Sequence, residues 1–340
     1  MTPGCVPAMN KLLRFLGGCL VSIAIPCAAR DNADRVVLSP KLIVGQSIHY
    51  QIGYRSTTNT NTESGVAAPM APTGGQSNAS FLLLVEVQDL RVDSGRTAAR
   101  LRSQIVEREV VTLNAAASGA QARTSGTEKP NAGKSAKREK IVAFTLHGDG
   151  QVTDIEGLDR LPAEEQAAWQ EWVARFGGGG SFPEKGIKPG EKWKGEEPIS
   201  GALLSGLSWE KESEYVNDAA CGAMKITPQG DLAALEQAQE KCAVILTTAI
   251  LKQKSSQKDA TPEDYRLHDL RTMGNAKGRN ETITYISVKT GLVVRATEDA
   301  NQSMNVIVAK TDGSNRVHYM IDAESHAQVM LLAETSANHP

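Results

Sequence analysis

Aromatic residues are scarce: Phe, Trp and Tyr make up 4% of the 340-residue sequence. Recognition of bases or sugars by stacking needs exposed rings in number, so the composition argues against such a platform. Neither sign of charge is in surplus. The 37 Lys and Arg against 39 Asp and Glu give a net charge of −2, which excludes the basic footprint of a nucleic-acid binder. Beyond residue 29 no apolar run reaches the roughly 20 residues that a membrane-spanning helix requires. What is present is 40% hydrophobic and 22% charged residues, enough for a folded core and too apolar for a disordered chain.

The N-terminal segment has the order of a secretory signal peptide. Lys11 and Arg14 precede an apolar stretch over residues 15–25, and Cys27, Ala28 and Ala29 offer small residues for cleavage before Arg30. Residues 1–29 are read as that signal, with Met9 a candidate start, and the mature protein as exported to the periplasm or the extracellular space. Leu16-Gly17-Gly18-Cys19 resembles a bacterial lipobox and gives a second reading, a form lipid-anchored through Cys19. Cleavage removes Lys11 and Arg14, so 35 basic residues face 39 acidic ones and the net charge becomes −4. Of the five cysteines, Cys221 and Cys242 remain. After export they are a candidate disulfide. The other reading is two separate thiols, with Cys242 buried at the start of an apolar strand.

Strand patterns dominate the mature chain. Ile48, Tyr50, Ile52 and Tyr54 alternate with polar neighbours, residues 81–90 are densely apolar, and residues 97–112 set Ala99, Leu101, Ser103 and Ile105 against Arg100, Arg102 and Gln104. An apolar face opposite a charged one is the signature of antiparallel sheet. Residues 140–146 and 151–156 flank His147-Gly148-Asp149-Gly150, a hairpin. Further strands are predicted near residues 192–193, 265–273, 281–288, 292–298, 303–310, 317–321 and 326–332. The spacing predicts a helix over 162–176. Pro162 and Glu164 suit its first turn, Trp169, Trp172, Val173 and Phe176 form one apolar stripe, and Gly177 stops it. A second short helix is predicted within 230–241.

The second half echoes the first. Gly45, Ser47 and Tyr54 correspond to Gly206, Ser208 and Tyr215, and Phe144, Gly150 and Val152 to Tyr285, Gly291 and Val293. An internal duplication and a chance match are both open readings. The expected organisation is a first β-rich half over 36–184 and a second over 185–333. Residues 56–80 and 114–137, rich in Ser, Thr, Gly and Asn, are expected to be mobile polar loops, with residues 274–279 the shorter counterpart of the latter.

No catalytic, cofactor or metal motif stands out. Gly133-Lys134-Ser135 has Glu128 where a phosphate-binding loop needs its first glycine. Gly206-Leu207-Ser208-Trp209-Glu210 lacks the closing glycine of a nucleophile elbow. The six histidines show no tight metal spacing, and Asp154, Glu156 and Asp159 read as a solvated face.

The signal, the long amphipathic strands, the Trp-bearing helix, Lys188-Pro189-Gly190-Glu191-Lys192-Trp193 and the strand–turn–strand around Tyr285, Lys289, Thr290, Gly291 and Val294 resemble uncharacterised secreted bacterial envelope proteins. They are similar in turn to the incomplete β-barrel carriers of lipoproteins and lipids, the LolA and LppX type. The resemblance spans about residues 36–332 and implies a mainly β (α+β) fold: a curved antiparallel sheet or incomplete barrel with the Trp-bearing helix packed on it. It implies a pocket for a hydrophobic ligand such as an acyl chain, with Trp169, Trp172, Val173 and Phe176 as candidate lining, and a lipid or another envelope protein as partner. The expected function is that of an exported, non-enzymatic envelope protein without a cofactor. A scaffold whose rings simply fill the core is the second reading, and a hydrolase assembled from dispersed residues the third.

Overall fold

The computed structural model describes residues 35–64, 73–93, 96–115, 141–161, 166, 169, 173, 182–199, 202–226, 232–234 and 240–333. The signal segment and Cys19 lie outside them. Thirteen strands follow in chain order: β1 Ser47–Ser64, β2 Thr73–Asp93, β3 Arg96–Ala115, β4 Ile141–His147, β5 Val152–Glu156, β6 Lys192–Pro198, β7 Leu207–Cys221, β8 Met224–Ile226, β9 Leu232–Ala234, β10 Glu240–Gln253, β11 Leu270–Ser287, β12 Val293–Lys310 and β13 Val317–Leu332. Eleven of them form one antiparallel sheet in the order β5-β4-β3-β2-β1-β13-β12-β11-β10-β7-β6, with β8 and β9 attached beside β13. Each half of the chain is a meander. The two meet where β1 pairs with β13, from His49 opposite Leu332 to Ser64 opposite Val317. β5 and β6 are the two ends, so the sheet is curved but not closed, as the mainly β expectation required.

Its two faces follow from the period-two alternation. On the inner face Ile48, Tyr50 and Ile52 of β1, Leu83 and Val85 of β2, Leu101 of β3, Phe144 of β4, Tyr215 of β7, Ile245 of β10, Ala296 of β12 and Val329 of β13 are buried in one cluster. These residues occupy one end of the strands. The breaks in register also lie there, between Leu82 and Leu83, Val87 and Asp89, Ala143 and Thr145, Val244 and Ile245, and Tyr285 and Ile286. Each bulge adds local twist, and so helps the sheet to roll around this core. A second, smaller cluster lies at the other end of the later strands, around Leu204, Leu207, Leu251, Ala260 and Val306, with Trp209 packed against it.

At the rolled end, segments outside the ladder bring the two sheet edges together. The amide of Phe182 donates to the Asp149 carbonyl in the β4–β5 turn (2.8 Å), while Gly190 and Glu191 exchange backbone bonds with Tyr215 of β7. Residues 35–41 form a strap across the same end. Val36 bridges Ile187, the Lys41 amide reaches the Thr290 carbonyl at 2.8 Å, and Arg35 holds the Glu191 carboxylate with contacts of 2.6 and 2.8 Å. Leu38 in this strap is 2% exposed. Gly291 shows how close the approach is: its φ is 70° and an added Cβ would lie 2.0 Å from the Ser39 carbonyl oxygen.

Several expectations are corrected. Residues 56–64 and 73–80 are not loop but the outer parts of β1 and β2, and Asn114 ends within β3; residues 65–72 and 116–140 lie outside the described residues. Residues 274–279 sit inside β11, and the separate strands expected over 292–310 and 317–332 are single strands, β12 and β13. In the middle of these strands, as over residues 56–64, polar side chains stand on both faces, which erases the alternation. The backbone donors and acceptors are nevertheless met by neighbouring strands, and that pairing is indifferent to side-chain polarity. Of the helix expected within 230–241, Leu232–Ala234 and the residues from Glu240 onward are strand, and residues 230–231 and 235–239 lie outside the described residues. The strand expected from residue 265 begins at Leu270, after a one-turn helix at Glu263–Arg266.

Candidate ligand-binding surfaces

Of the four residues expected to line a hydrophobic pocket, Trp169 and Val173 are described; Trp172 and Phe176 lie outside the described residues. Gln166, Trp169 and Val173 are helical, at the spacing that puts residues 166, 169 and 173 on one stripe. Gln166 donates its side-chain amide to the Leu161 carbonyl at 2.8 Å. Trp169 is 5% and Val173 4% exposed, both within the rolled-end core. The Trp169 ring meets Phe144 of β4 edge-on, with centroids 5.8 Å apart and planes at 71°, an arrangement that aromatic quadrupoles favour. The helix therefore packs on the sheet through its tryptophan. Phe182 and Trp193, centroids 6.2 Å apart, carry the same core toward β6.

Cys221 and Cys242 are joined in a disulfide, their Cα atoms 5.8 Å apart. It ties the end of β7 to the start of β10. Beside it, Tyr215 donates its hydroxyl to the Asp218 carboxylate, and Lys241 contacts the same carboxylate at 2.6 Å. Burial holds the Tyr215 hydroxyl in its neutral form well above the usual phenol range, and the Asp218 charge adds to this. For Asp218, burial opposes the charge, but the hydrogen bonds from Lys241 and Tyr215 outweigh it and pull the carboxyl below its ordinary value of 3.8. A depressed carboxyl pKa contributes stability that is complete above the unfolded value and is lost as pH falls through the folded one. A raised tyrosine pKa contributes stability that is lost as pH rises above about 10, where the unfolded phenol ionises. Urea midpoints are therefore expected to fall below about pH 4 and above about pH 10. The variant Asp218→Asn should show a smaller acid-side fall than the parent protein; an unchanged acid limb would remove Asp218 as a contributor.

The remaining sequence candidates disperse. Glu156 pairs with Arg100 at 2.8 Å, Arg100 also donates to the Asp154 carbonyl, and Asp159 sits in the one-turn helix Leu158–Arg160. Ser208 is a buried strand residue in β7. His147 contacts Thr153, His318 lies between Glu63 and Asn305, and His326 bonds Asp299 at 2.8 Å. Among the described residues no group of three His, Cys, Asp or Glu is placed to hold a metal ion. Gly133-Lys134-Ser135 lies outside the described residues.

A feature the sequence did not announce lies on the opposite, exposed face. Two adjoining depressions run across the polar middle of β1, β13, β12 and β11. One, of about 440 Å³, is lined by Lys277, Asn301, Ser303, Asp322 and Glu324 with backbone at Gly278 beneath. Its neighbour, of about 290 Å³, shares Asn301 and Glu324 and adds Arg55, Thr57, Asp299 and His326. Register builds it: Lys277 is opposite Ser303 and Ser303 opposite Asp322, so the three project on one face in one row.

No family model matches the chain, and no curated protein sequence does. Among solved structures, it is similar to an outer membrane channel from Pseudomonas putida F1, at 11% identity and a TM-score of 0.15 over 86% of this chain and 98% of that one. It is also similar to OccAB4 of Acinetobacter baumannii, at 9% identity and a TM-score of 0.19 over 85% and 99%. The β domain of the Bordetella autotransporter BrkA matches at 9% identity and a TM-score of 0.16 over 82% and 98%. Scores this low carry no functional argument. No helix among the described residues is long and apolar enough to cross a membrane.

Proposed function

We propose that the protein is an exported, non-enzymatic component of a bacterial envelope that binds a hydrophobic ligand, the acyl chain of a lipid or lipoprotein, against the inner face of its unclosed sheet. The observation that carries this reading is an apolar inner face on a sheet whose two end strands, β5 and β6, are unpaired with each other. Such a sheet can admit a chain between its edges without breaking a ladder hydrogen bond, whereas a closed barrel cannot. The resemblance to the LolA and LppX carriers supports it, as do a signal-like N-terminus and a disulfide, which persists in an oxidising compartment. The exposed face of the long strands favours an aqueous setting over a lipid-facing one: Arg55, Glu281, Asp299, Asn301, Glu324 and His326 stand where a membrane barrel would carry an apolar band.

A second reading, a scaffold with a filled core, is favoured by the close packing of Trp169 on Phe144. Native mass spectrometry of the gently extracted protein separates the two. Co-purified lipid that is lost on delipidation and regained from phospholipid micelles supports the carrier. A protein that stays at its apo mass throughout leaves the scaffold.

A further inference from the structure

The exposed face of the sheet carries its charges in two ways. Toward β6 they are matched. Lys192 lies 3.5 and 3.0 Å from Glu212 and Glu214, Lys194 is 3.7 Å from Glu212, and Lys254 pairs with Glu196. Such cross-strand ladders are an ordinary solution for a solvated face. In the groove across β11, β12 and β13 the charges are separated instead. Lys277 stands on one wall and Asp322 and Glu324 on the other, with Asn301 and Ser303 of β12 between them. β11 and β13 are two strand spacings apart, about 10 Å, and among the described residues Lys277 forms no ion pair with Asp322 or Glu324. Opposite charges facing each other over a polar floor present a cation site and an anion site at a fixed separation.

The geometry points to a binding site for a small zwitterion, a molecule carrying an ammonium group and a phosphate or carboxylate a few bonds apart. We infer that its ammonium lies between Asp322 and Glu324, its anionic group meets Lys277, and Asn301 and Ser303 bond the atoms between. The charges account for the class. A simple anion would face two carboxylates, a simple cation would face Lys277, and only a two-ended ligand satisfies both walls. The neighbouring depression repeats the theme less cleanly, because its Asp299 is already bonded to His326. Two sources share this chemistry, a phosphoethanolamine lipid headgroup and a free peptide. The site is independent of the inner-face reading above and lies on the other side of the sheet.

The test is a nuclear magnetic resonance titration of the full mature chain with glycerophosphoethanolamine and with alanylalanine, using glycerol phosphate and ethanolamine as one-ended controls. The expected result is saturable shifts confined to the backbone amides around Lys277, Asn301, Ser303, Asp322 and Glu324 for at least one zwitterion. Each control should bind about ten-fold more weakly or not at all, since a charged hydrogen bond contributes on the order of 1.5–3 kcal/mol. The variant Lys277→Met should weaken zwitterion binding by about ten-fold and strengthen ethanolamine binding, and Asp322→Asn with Glu324→Gln should weaken zwitterion binding and strengthen that of glycerol phosphate. All three positions are exposed, so melting temperature should not move. Sedimentation with phosphatidylethanolamine vesicles then assigns the source: co-sedimentation that Lys277→Met abolishes indicates the headgroup, and binding of the dipeptide alone indicates the peptide. Controls that bind as tightly as the zwitterions, or no saturable shift from either zwitterion, would overturn the proposal.

Discussion

Replacing Trp169 with alanine is expected to lower the unfolding free energy by about 3–5 kcal/mol, the range for deleting a large buried aromatic side chain. Trp169 is 5% exposed and its ring edge rests on Phe144, which is itself fully buried. Truncation removes the apolar area and leaves a void between the helix and β4 that neighbouring β-branched and aromatic side chains cannot fill without leaving their rotamers. Equilibrium urea unfolding measures it through the shift in midpoint at constant slope. A loss under about 1 kcal/mol would mean that the tryptophan is a dispensable lid and not part of the core. The conservative variant Trp169→Phe should recover most of the loss, because an aromatic edge contact with Phe144 is retained.

Removing the Cys221–Cys242 bond should cost about 3 kcal/mol, and it acts mainly on the unfolded chain. The two residues are 21 positions apart in sequence, and closing a loop of that size removes an entropy worth roughly this much in the chain-entropy picture. The double variant Cys221→Ala with Cys242→Ala should therefore melt several degrees below the parent, and the parent should fall to a similar temperature when reduced. The folded-state signature is a separate check: both sulfurs are held in the disulfide, so the oxidised native protein should show no alkylation at either site. Alkylation of the untreated, denatured protein would reveal two free thiols and sink the assignment. Equal melting of parent and double variant would place the stabilising contribution elsewhere.

Much of the rolled end was legible in the sequence. Ile48, Tyr50 and Ile52 alternate, and they are buried by the same alternation. His147 to Gly150 read as a turn, and the amide of Gly150 does close it on the His147 carbonyl at 2.9 Å. The tryptophan stripe announced a helix against something large, and Phe144 is its partner. The polar halves of the long strands were not legible. Thr57, Asn59 and Asn61 on one face and Thr58 and Thr60 on the other give no hydrophobic contrast, so a sequence pattern reads them as loop. They are strand because β1 has β2 on one side and β13 on the other.

The groove was hidden for a different reason. Lys277, Ser303 and Asp322 carry no motif spacing, and each alone is an unremarked polar residue in a polar stretch. The sequence by itself determined which residues of β1 are inside the rolled end and where the β4–β5 hairpin turns, because each of these depends on local periodicity or on a turn residue. Strand length, the junction of β1 with β13 and the row that sets Lys277 across from Asp322 were decided only by the tertiary structure. They rest on backbone hydrogen bonds between distant segments, and those bonds form between any residues that the register brings together.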